Sequence, residues 1–362
     1  MTTLADLQAL HQAGRFSDAR EAVTRALADG DDGERQAGAL YVVYYALFDL
    51  FPQALAALEP LLPRLENDLN TCNAVAFAAW VTDRIDLCRW ASKRCIALNP
   101  AVGNGYLRLG LAELGRENYA DGFCALSAGL YNCPTDVHLQ HWHPLARSLV
   151  QGTRRVKFVF DRMEFVFALS VFNTQAMEMA ANHVSGRLYE PEELRHARAF
   201  VGACDSIVEV GALVGNHTIF FAKALRPRTI HVFDANSRAV AQVRENVALN
   251  GLEGGATNIV VHHAAVGGKA GRIRMFDHDV PLVRLDDEVK ERVEFIKIDV
   301  DGMELEVLDG CRALISRDRP KIMIEVQQEL KERFLAFVRG QGYVVEHELV
   351  RASDSNFFIA PE

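Results

Sequence analysis

The pattern of hydrophobic and polar positions changes character near residue 150. Ahead of that point, apolar residues recur in a register of 35, 34 and 34. Phe16, Phe51, Ile85 and Tyr119 align, and three residues later stand Ala19, Ala54, Cys88 and Gly122. Ala22, Ala57, Ala91 and Ala125 follow after another three, with Leu27, Leu62, Ile96 and Leu130 farther along the same face. A large residue with small ones at i+3 and i+6 is what the second helix of a hairpin needs when another helix packs close. Pro100 and Pro134, again 34 apart, close two of the units, because proline stops a helix. The pattern predicts about four stacked helical hairpins, an all-α repeat domain over residues 1–148.

From residue 149 to 362 the pattern alternates strand and helix. "RVKFVFDRMEFVFAL" predicts two short strands around a turn at Asp161–Arg162. "EPEELRHARAFV" predicts a helix with Pro191 in its first turn. Seven apolar runs follow: "SIVEV", "TIHVF", "NIVVHH", "EFIKID", "KIMIEV", "YVVEH" and "NFFIA". Helical spacing separates the first five, around residues 218–225, 237–250, 286–293 and 304–315. Runs this apolar do not suit a sheet with one wet face. They predict an α/β fold whose mainly parallel, seven-stranded sheet is covered on both sides. The last two runs lie closer together, which leaves antiparallel pairing open.

Composition narrows the function classes. The 362 residues carry a net charge of −9, which argues against a protein-wide field for nucleic acid or anionic membrane. The start, "MTTLADLQALHQAGRF", has no basic stretch before an apolar core, so no secretory leader is expected. "FVFALSVF" is too short to cross a bilayer. The seven cysteines form no C-x-x-C pair and read as reduced core residues of a cytoplasmic protein.

Chemistry gathers where strands end. "SIVEVGALVGNHTIFFAKAL" runs from a strand into Gly211, then Gly215, then a helix. A dinucleotide fingerprint reads G-x-G-x-x-G. Here position 213 is Leu and Glu209 precedes the first glycine by two, which disfavours a nicotinamide oxidoreductase. Asp234 closes "TIHVFD", 23 residues beyond Gly211, where an acid is placed to take both hydroxyls of a ribose. A glycine loop and a ribose acid without a phosphate cradle point to S-adenosylmethionine. Asp299 ends "FIKID" on the same side of its strand as Lys297, and Asp301 follows in the turn.

In order and spacing, "VEVGALVGNHTIFFA", "HVFDANSRAVAQVRENVALNG", "HHAAVG", "VRLDDEV" and "FIKIDVDGMELEVLDGCRALI…RPKIMIEV" resemble the FkbM-type methyltransferases. "GRLYEPEEL" resembles the segment before their first motif, and the similarity covers roughly residues 185 to 330. The resemblance implies a class I, Rossmann-like methyltransferase fold. It also implies S-adenosylmethionine as methyl donor and a hydroxyl of a sugar or secondary metabolite as acceptor. Glu209 stands where the family more often has Asp, Leu213 breaks "GAN", and "FDAN" and "KIDVDG" replace "FEPN" and "KIDVEG". The 34-residue period resembles the tetratricopeptide repeat in degenerate form, which implies a protein partner or self-association.

The expected cofactor set is Glu190, Glu209, Gly211, Gly215, Asn216, Asp234, Ala235, Asn236 and Asp299, with the adenine near His263, Ala264 and Ala265. The acceptor proton falls to Asp299, Asp301 or His217. Asp299, Asp301 and Glu325 are also candidates to hold one Mg²⁺ or Ca²⁺. Two readings stand: an O-methyltransferase acting on a glycan or glycosylated metabolite, or a scaffold that binds S-adenosylmethionine without turnover.

Overall fold

The computed structural model describes residues 66–362 except 276, 277, 301, 352 and 353, with scattered single positions before 66. Phe16, Ala19, Leu27, Phe51, Ala54 and Ala57 of the repeat pattern, and Asp301, lie outside the described residues. The chain divides into two compact units, Met1–Thr153 and Arg154–Glu362.

In the first unit, five helices are described: α1 (Leu69–Val81), α2 (Ile85–Leu98), α3 (Gly103–Gly115), α4 (Tyr119–Asn132) and α5 (Val137–Val150). Helices α1, α3 and α5 start 34 residues apart, and so do α2 and α4. Asp68 and Asp136 cap α1 and α5 by accepting first-turn amides, from Thr71 and from His138 and Leu139. The aligned small position in α4 has a steric cause. A Cβ on Gly122 would come within 2.8 Å of the Leu114 side chain on α3, so the bare Cα lets the two helices approach.

The second unit opens with a hairpin of β1 (Arg155–Phe160) and β2 (Met163–Ala168), turned at Asp161 and Arg162, both with positive φ. Helices α6 (Thr174–Val184) and α7 (Pro191–Val201) follow. Strand β3 (Ser206–Val210) leads to α8 (Asn216–Ala224), β4 (Thr229–Asp234), α9 (Ser237–Leu249) and β5 (Asn258–His263). Next come the short β6 (Ala265–Val266), β7 (Gly271–Met275), β8 (His278–Val283), α10 (Leu285–Glu288) and β9 (Phe295–Ile298). The chain ends with α11 (Glu304–Asp309), α12 (Arg312–Asp318), β10 (Lys321–Gln327), α13 (Lys331–Gly340), β11 (Tyr343–Val350) and β12 (Asp354–Pro361).

The seven-stranded sheet has the order β11-β12-β10-β9-β3-β4-β5, with β12 antiparallel to both neighbours and the other described pairs parallel. All seven apolar runs are its strands. Alternation in β3 sends Ile207 into a core on one face and Val208 and Val210 into a core on the other. This is the class I methyltransferase fold.

Three features depart from the sequence reading. Strands β6, β8 and β7 form a separate three-stranded sheet, in a stretch too charged to read as strand. The helix expected over 286–293 is a single turn, because the backbone is extended again at Val289. The helix expected over 304–315 breaks at Gly310, where a Cβ would overlap the Gly267 carbonyl oxygen.

Candidate functional site

Strand order reverses between β3 and β9, and the carboxyl ends of parallel strands beside such a switch leave a crevice for ligands. Gly211, Asp234, His263 and Asp299 come to that edge because each ends, or directly follows, one of four adjacent strands.

Gly211 (φ 81°) is bare for a structural reason. A Cβ there would overlap the Asp299 carbonyl oxygen, so the residue admits the neighbouring strand rather than opening space for a nucleotide. Gly215 (φ 79°) precedes α8, and its missing Cβ would make only ordinary contact with Val243. Between them Leu213 also has positive φ, 51°, a conformation that costs a non-glycine residue about 1–2 kcal/mol. Its side chain packs with Ala176, Met179 and Val214.

Asp234 organises this loop. Its Oδ2 accepts the amides of Ala212 (3.1 Å) and Leu213 (2.9 Å), and its Oδ1 accepts that of Asn236 (2.8 Å). Burial raises its pKa, and those three amides oppose the shift. Of about four acceptor sites on a carboxylate, one on Oδ1 remains for a ligand. Asn236 caps α9 by accepting from Arg238. The imidazole of His263 donates to the Ala235 carbonyl at 3.1 Å, and Ala264 and Ala265 beside it are buried.

Glu209 and Lys297 lie beneath the loop. Thr218 donates to Glu209 Oε2 at 2.5 Å, while the buried Oε1 has no hydrogen-bond partner. Burial lifts the Glu209 carboxyl to about 7 against the pull of Lys297. Lys297 Nζ donates to Gly211 O (3.0 Å) and Asp299 Oδ2 (2.9 Å). Burial alone would lower its pKa, but Asp299 and Glu209 outweigh it and hold the lysine charged.

A second cluster spans the β10–β12 side. The Arg351 guanidinium binds Glu190, Glu193 (2.7 Å) and Glu325 (3.0 Å), with Asp354 at 3.7 Å. Glu190 precedes α7 in a left-handed conformation (φ 52°). Burial pushes its carboxyl up to about 6, and Arg351 restrains the shift. His217 is buried with Nε2 3.5 Å from Glu190 Oε2 and no hydrogen bond at that nitrogen. Burial, then the charges of Lys297 and Arg351, hold its pKa well below the usual value, so the ring is neutral. Glu325 is also raised, by burial and the neighbouring acids Asp299, Asp354 and Glu190.

Asn216 is committed elsewhere. Its amide accepts from Tyr189 N and pairs with His183, and it donates to Tyr189 O, tying α8 to the segment before α7. For the cation set, Asp299 holds Lys297 and Glu325 holds Arg351. Among the described residues, no three His, Cys, Asp or Glu side chains are grouped to bind a metal ion.

Sequence reasoning gave no role to Lys297 and missed Arg351. The alternation that set Lys297 beside Asp299 was the available signal for the first. Arg351 has none, since its partner Glu190 lies 161 residues away.

The residues suit the methyl donor that this fold implies. Acids outnumber cations at this edge, which favours a ligand bearing a sulfonium and an ammonium. Asp234 keeps an acceptor site at a strand end, and small residues line the end of β5.

Fold and edge define a class I methyltransferase domain. Residues 209–345 match the model of the methyltransferase FkbM domain. No curated relative matches the chain. Among solved structures, methyltransferase FkbM from Methylobacillus flagellatus KT is similar at 16% identity and a TM-score of 0.38, over 62% of this chain and 59% of that one. The chain thus spans less than two thirds of that protein. M. capricolum TrmK, solved with S-adenosyl-homocysteine, is similar at 11% identity and a TM-score of 0.35, over 47% of this chain and 67% of that one. M. jannaschii TYW2, solved with AdoMet, is similar at 12% identity and a TM-score of 0.34, over 58% of this chain and 87% of that one.

Proposed function

We propose that the second unit transfers a methyl group from S-adenosylmethionine to a hydroxyl of a glycan or of a glycosylated or secondary metabolite. The observation that carries this reading is the Lys297–Asp299 pair at the switch between β9 and β3, within the matched FkbM domain. When bound, the cofactor supplies an electrophilic methyl group on sulfur. The chain's part is to hold the two reactants in line and to take a proton. Asp234 takes the ribose through Oδ1, and His263, Ala264 and Ala265 border the adenine. Asp299, fixed through Oδ2 by Lys297, orients the acceptor hydroxyl and accepts its proton on Oδ1. His217 stands behind Glu190, neutral and able to relay that proton.

The helical hairpins of the first unit would dock a partner or the acceptor's carrier, and the enzyme would work in the cytoplasm. Among the described residues, no helix is long and apolar enough to cross a membrane. The test is calorimetric titration with S-adenosylhomocysteine, followed by mass spectrometry of glycans and metabolites incubated with enzyme and donor. Binding to S-adenosylhomocysteine and a product heavier by one methyl group on oxygen is expected. Binding without product across a broad acceptor panel would favour the non-catalytic scaffold.

A further inference from the structure

On the β10–β12 side of the edge, carboxylates outnumber the cations that hold them. Glu190, Glu193, Glu325 and Asp354 share one guanidinium, that of Arg351. It bonds one oxygen each of Glu190, Glu193 and Glu325, and no described residue donates to the second oxygen of any of the three. Lys297 directs its own hydrogen bonds to Gly211 and Asp299. Burial and the neighbouring acids raise Glu190 and Glu325, as carboxylates do when too little positive charge faces them.

A second observation does not depend on the acids. The His217 ring is buried and neutral, and its Nε2 stands 3.5 Å from Glu190 Oε2 without a hydrogen bond. A neutral imidazole brings no charge, so that oxygen of Glu190 still lacks a donor. The cluster is also open to a ligand: the side chains of Asp299, Arg351 and Glu325 keep 33%, 31% and 20% of their surface exposed. In the proposed placement of the donor, adenine lies at β5 and ribose at β4, and the methyl group reaches the end of β9 at Asp299. Strands β10 and β12 lie beyond β9 in the sheet, so Glu325 and Asp354 flank the acceptor rather than the donor.

Resting on the methyl-transfer reading, we propose that the acceptor carries an ammonium group near the hydroxyl that is methylated, as an amino sugar or amino alcohol does, and that Glu190, Glu193 and Glu325 seat it. An ammonium is compact and offers three N–H donors, one for each free carboxylate oxygen, and Asp299 Oδ1 stays with the hydroxyl. The ammonium takes no part in the transfer. The methyl carbon leaves sulfur for the acceptor oxygen, and the hydroxyl proton goes to Asp299.

The test titrates the full chain, saturated with S-adenosylhomocysteine, with glucosamine and with its neutral counterparts N-acetylglucosamine and glucose. Calorimetry at neutral pH is run in two buffers of different ionisation heat, neither of them a primary amine. Glucosamine should bind about tenfold more tightly than either neutral sugar, the scale of a charge-assisted hydrogen bond. Its binding should also release protons, because a cation favours the ionised forms of Glu190 and Glu325. Glu325→Gln keeps an oxygen for Arg351 and should lose most of the preference while binding S-adenosylhomocysteine like wild type. Equal affinity for the three sugars, or no binding of glucosamine, would overturn the proposal. So would displacement of S-adenosylhomocysteine by glucosamine, since the cluster would then belong to the donor's own ammonium. Should Glu325→Gln not fold, the comparison of the three sugars on wild type decides alone. Failure of S-adenosylhomocysteine itself to bind would instead remove the methyl-transfer reading.

Discussion

Glu209 and Lys297 stand opposite each other in the parallel β3–β9 pair, both buried. The lysine directs its hydrogen bonds to Gly211 and Asp299, and Glu209 keeps one unbonded oxygen. Burial therefore wins at Glu209 and lifts its carboxyl from 4.5 to about 7. A carboxyl raised in the folded state stabilises fully below its unfolded pKa, and that contribution is lost as pH rises through the folded value. The window runs from about pH 4.5 to about pH 7. In the free protein, Glu209→Gln should match wild type near pH 4 and exceed it at pH 8 by about 3 kcal/mol. Urea unfolding at the two pH values is the check. A wild-type advantage at pH 8 would mean that the Lys297 charge dominates.

The two loop glycines should respond very differently to alanine. At Gly211 a Cβ meets backbone, the Asp299 carbonyl, and a neighbouring strand cannot move without breaking its ladder. Gly211→Ala should cost more than about 3 kcal/mol, or yield no folded protein. At Gly215 the added Cβ touches only Val243 side-chain and backbone atoms at 3.4–3.6 Å. The cost there is the left-handed backbone alone, about 1–2 kcal/mol. Denaturant midpoints rank the two, and equal losses would contradict the tight approach at Gly211.

The sheet was legible because its strands are buried on both faces. "SIVEV" and "KIMIEV" leave no polar face that a helix would need. The small sheet escaped because "GRIRM" is half charged and "HDVPLV" carries Pro281, so neither shows the run of apolar residues that marked the others. At the site, residues at strand ends were found by position: Asp234 and Asp299 lie where the topology sends ligands. What those acids hold was not legible, since the amides on Asp234 come from a loop whose path depends on Gly211 and Leu213. Arg351 was invisible for a related reason. It lies between the two C-terminal strands in no motif, and only the fold brings Glu190, Glu193 and Glu325 to it.

Asp234 thus supports two measurements. Asp234→Ala should weaken S-adenosylhomocysteine binding by about 1–3 kcal/mol, the scale of a charge-assisted hydrogen bond. It also strands the amides of Ala212, Leu213 and Asn236, so the free protein should lose stability by about 2 kcal/mol. Asp234→Asn retains one carbonyl acceptor and should fall between wild type and alanine in both assays. Unchanged affinity with lowered stability would make Asp234 a loop organiser that does not touch the cofactor.

The catalytic reading rests most heavily on Asp299. Its Oδ2 is occupied by Lys297, so a proton acceptor at this position must act through Oδ1. Asp299→Asn preserves the shape and offers Lys297 an amide oxygen, while removing the group that accepts the proton. The fold and S-adenosylhomocysteine affinity should stay close to wild type, and kcat should fall by roughly 10²–10⁴. A metal-assisted route predicts something else. If a cation polarised the hydroxyl, EDTA would abolish turnover and Mg²⁺, Ca²⁺ or Mn²⁺ would restore it. With Lys297 and Arg351 already on Asp299 and Glu325, turnover should survive EDTA. His217→Ala separates relay from direct transfer. A relay through the buried imidazole makes its loss comparable to that of Asp299→Asn, whereas direct transfer to Asp299 leaves the histidine variant within about tenfold of wild type. Near-normal kcat in both variants would move the proton acceptor to Glu190 or Glu325, the raised carboxyls on the Arg351 side.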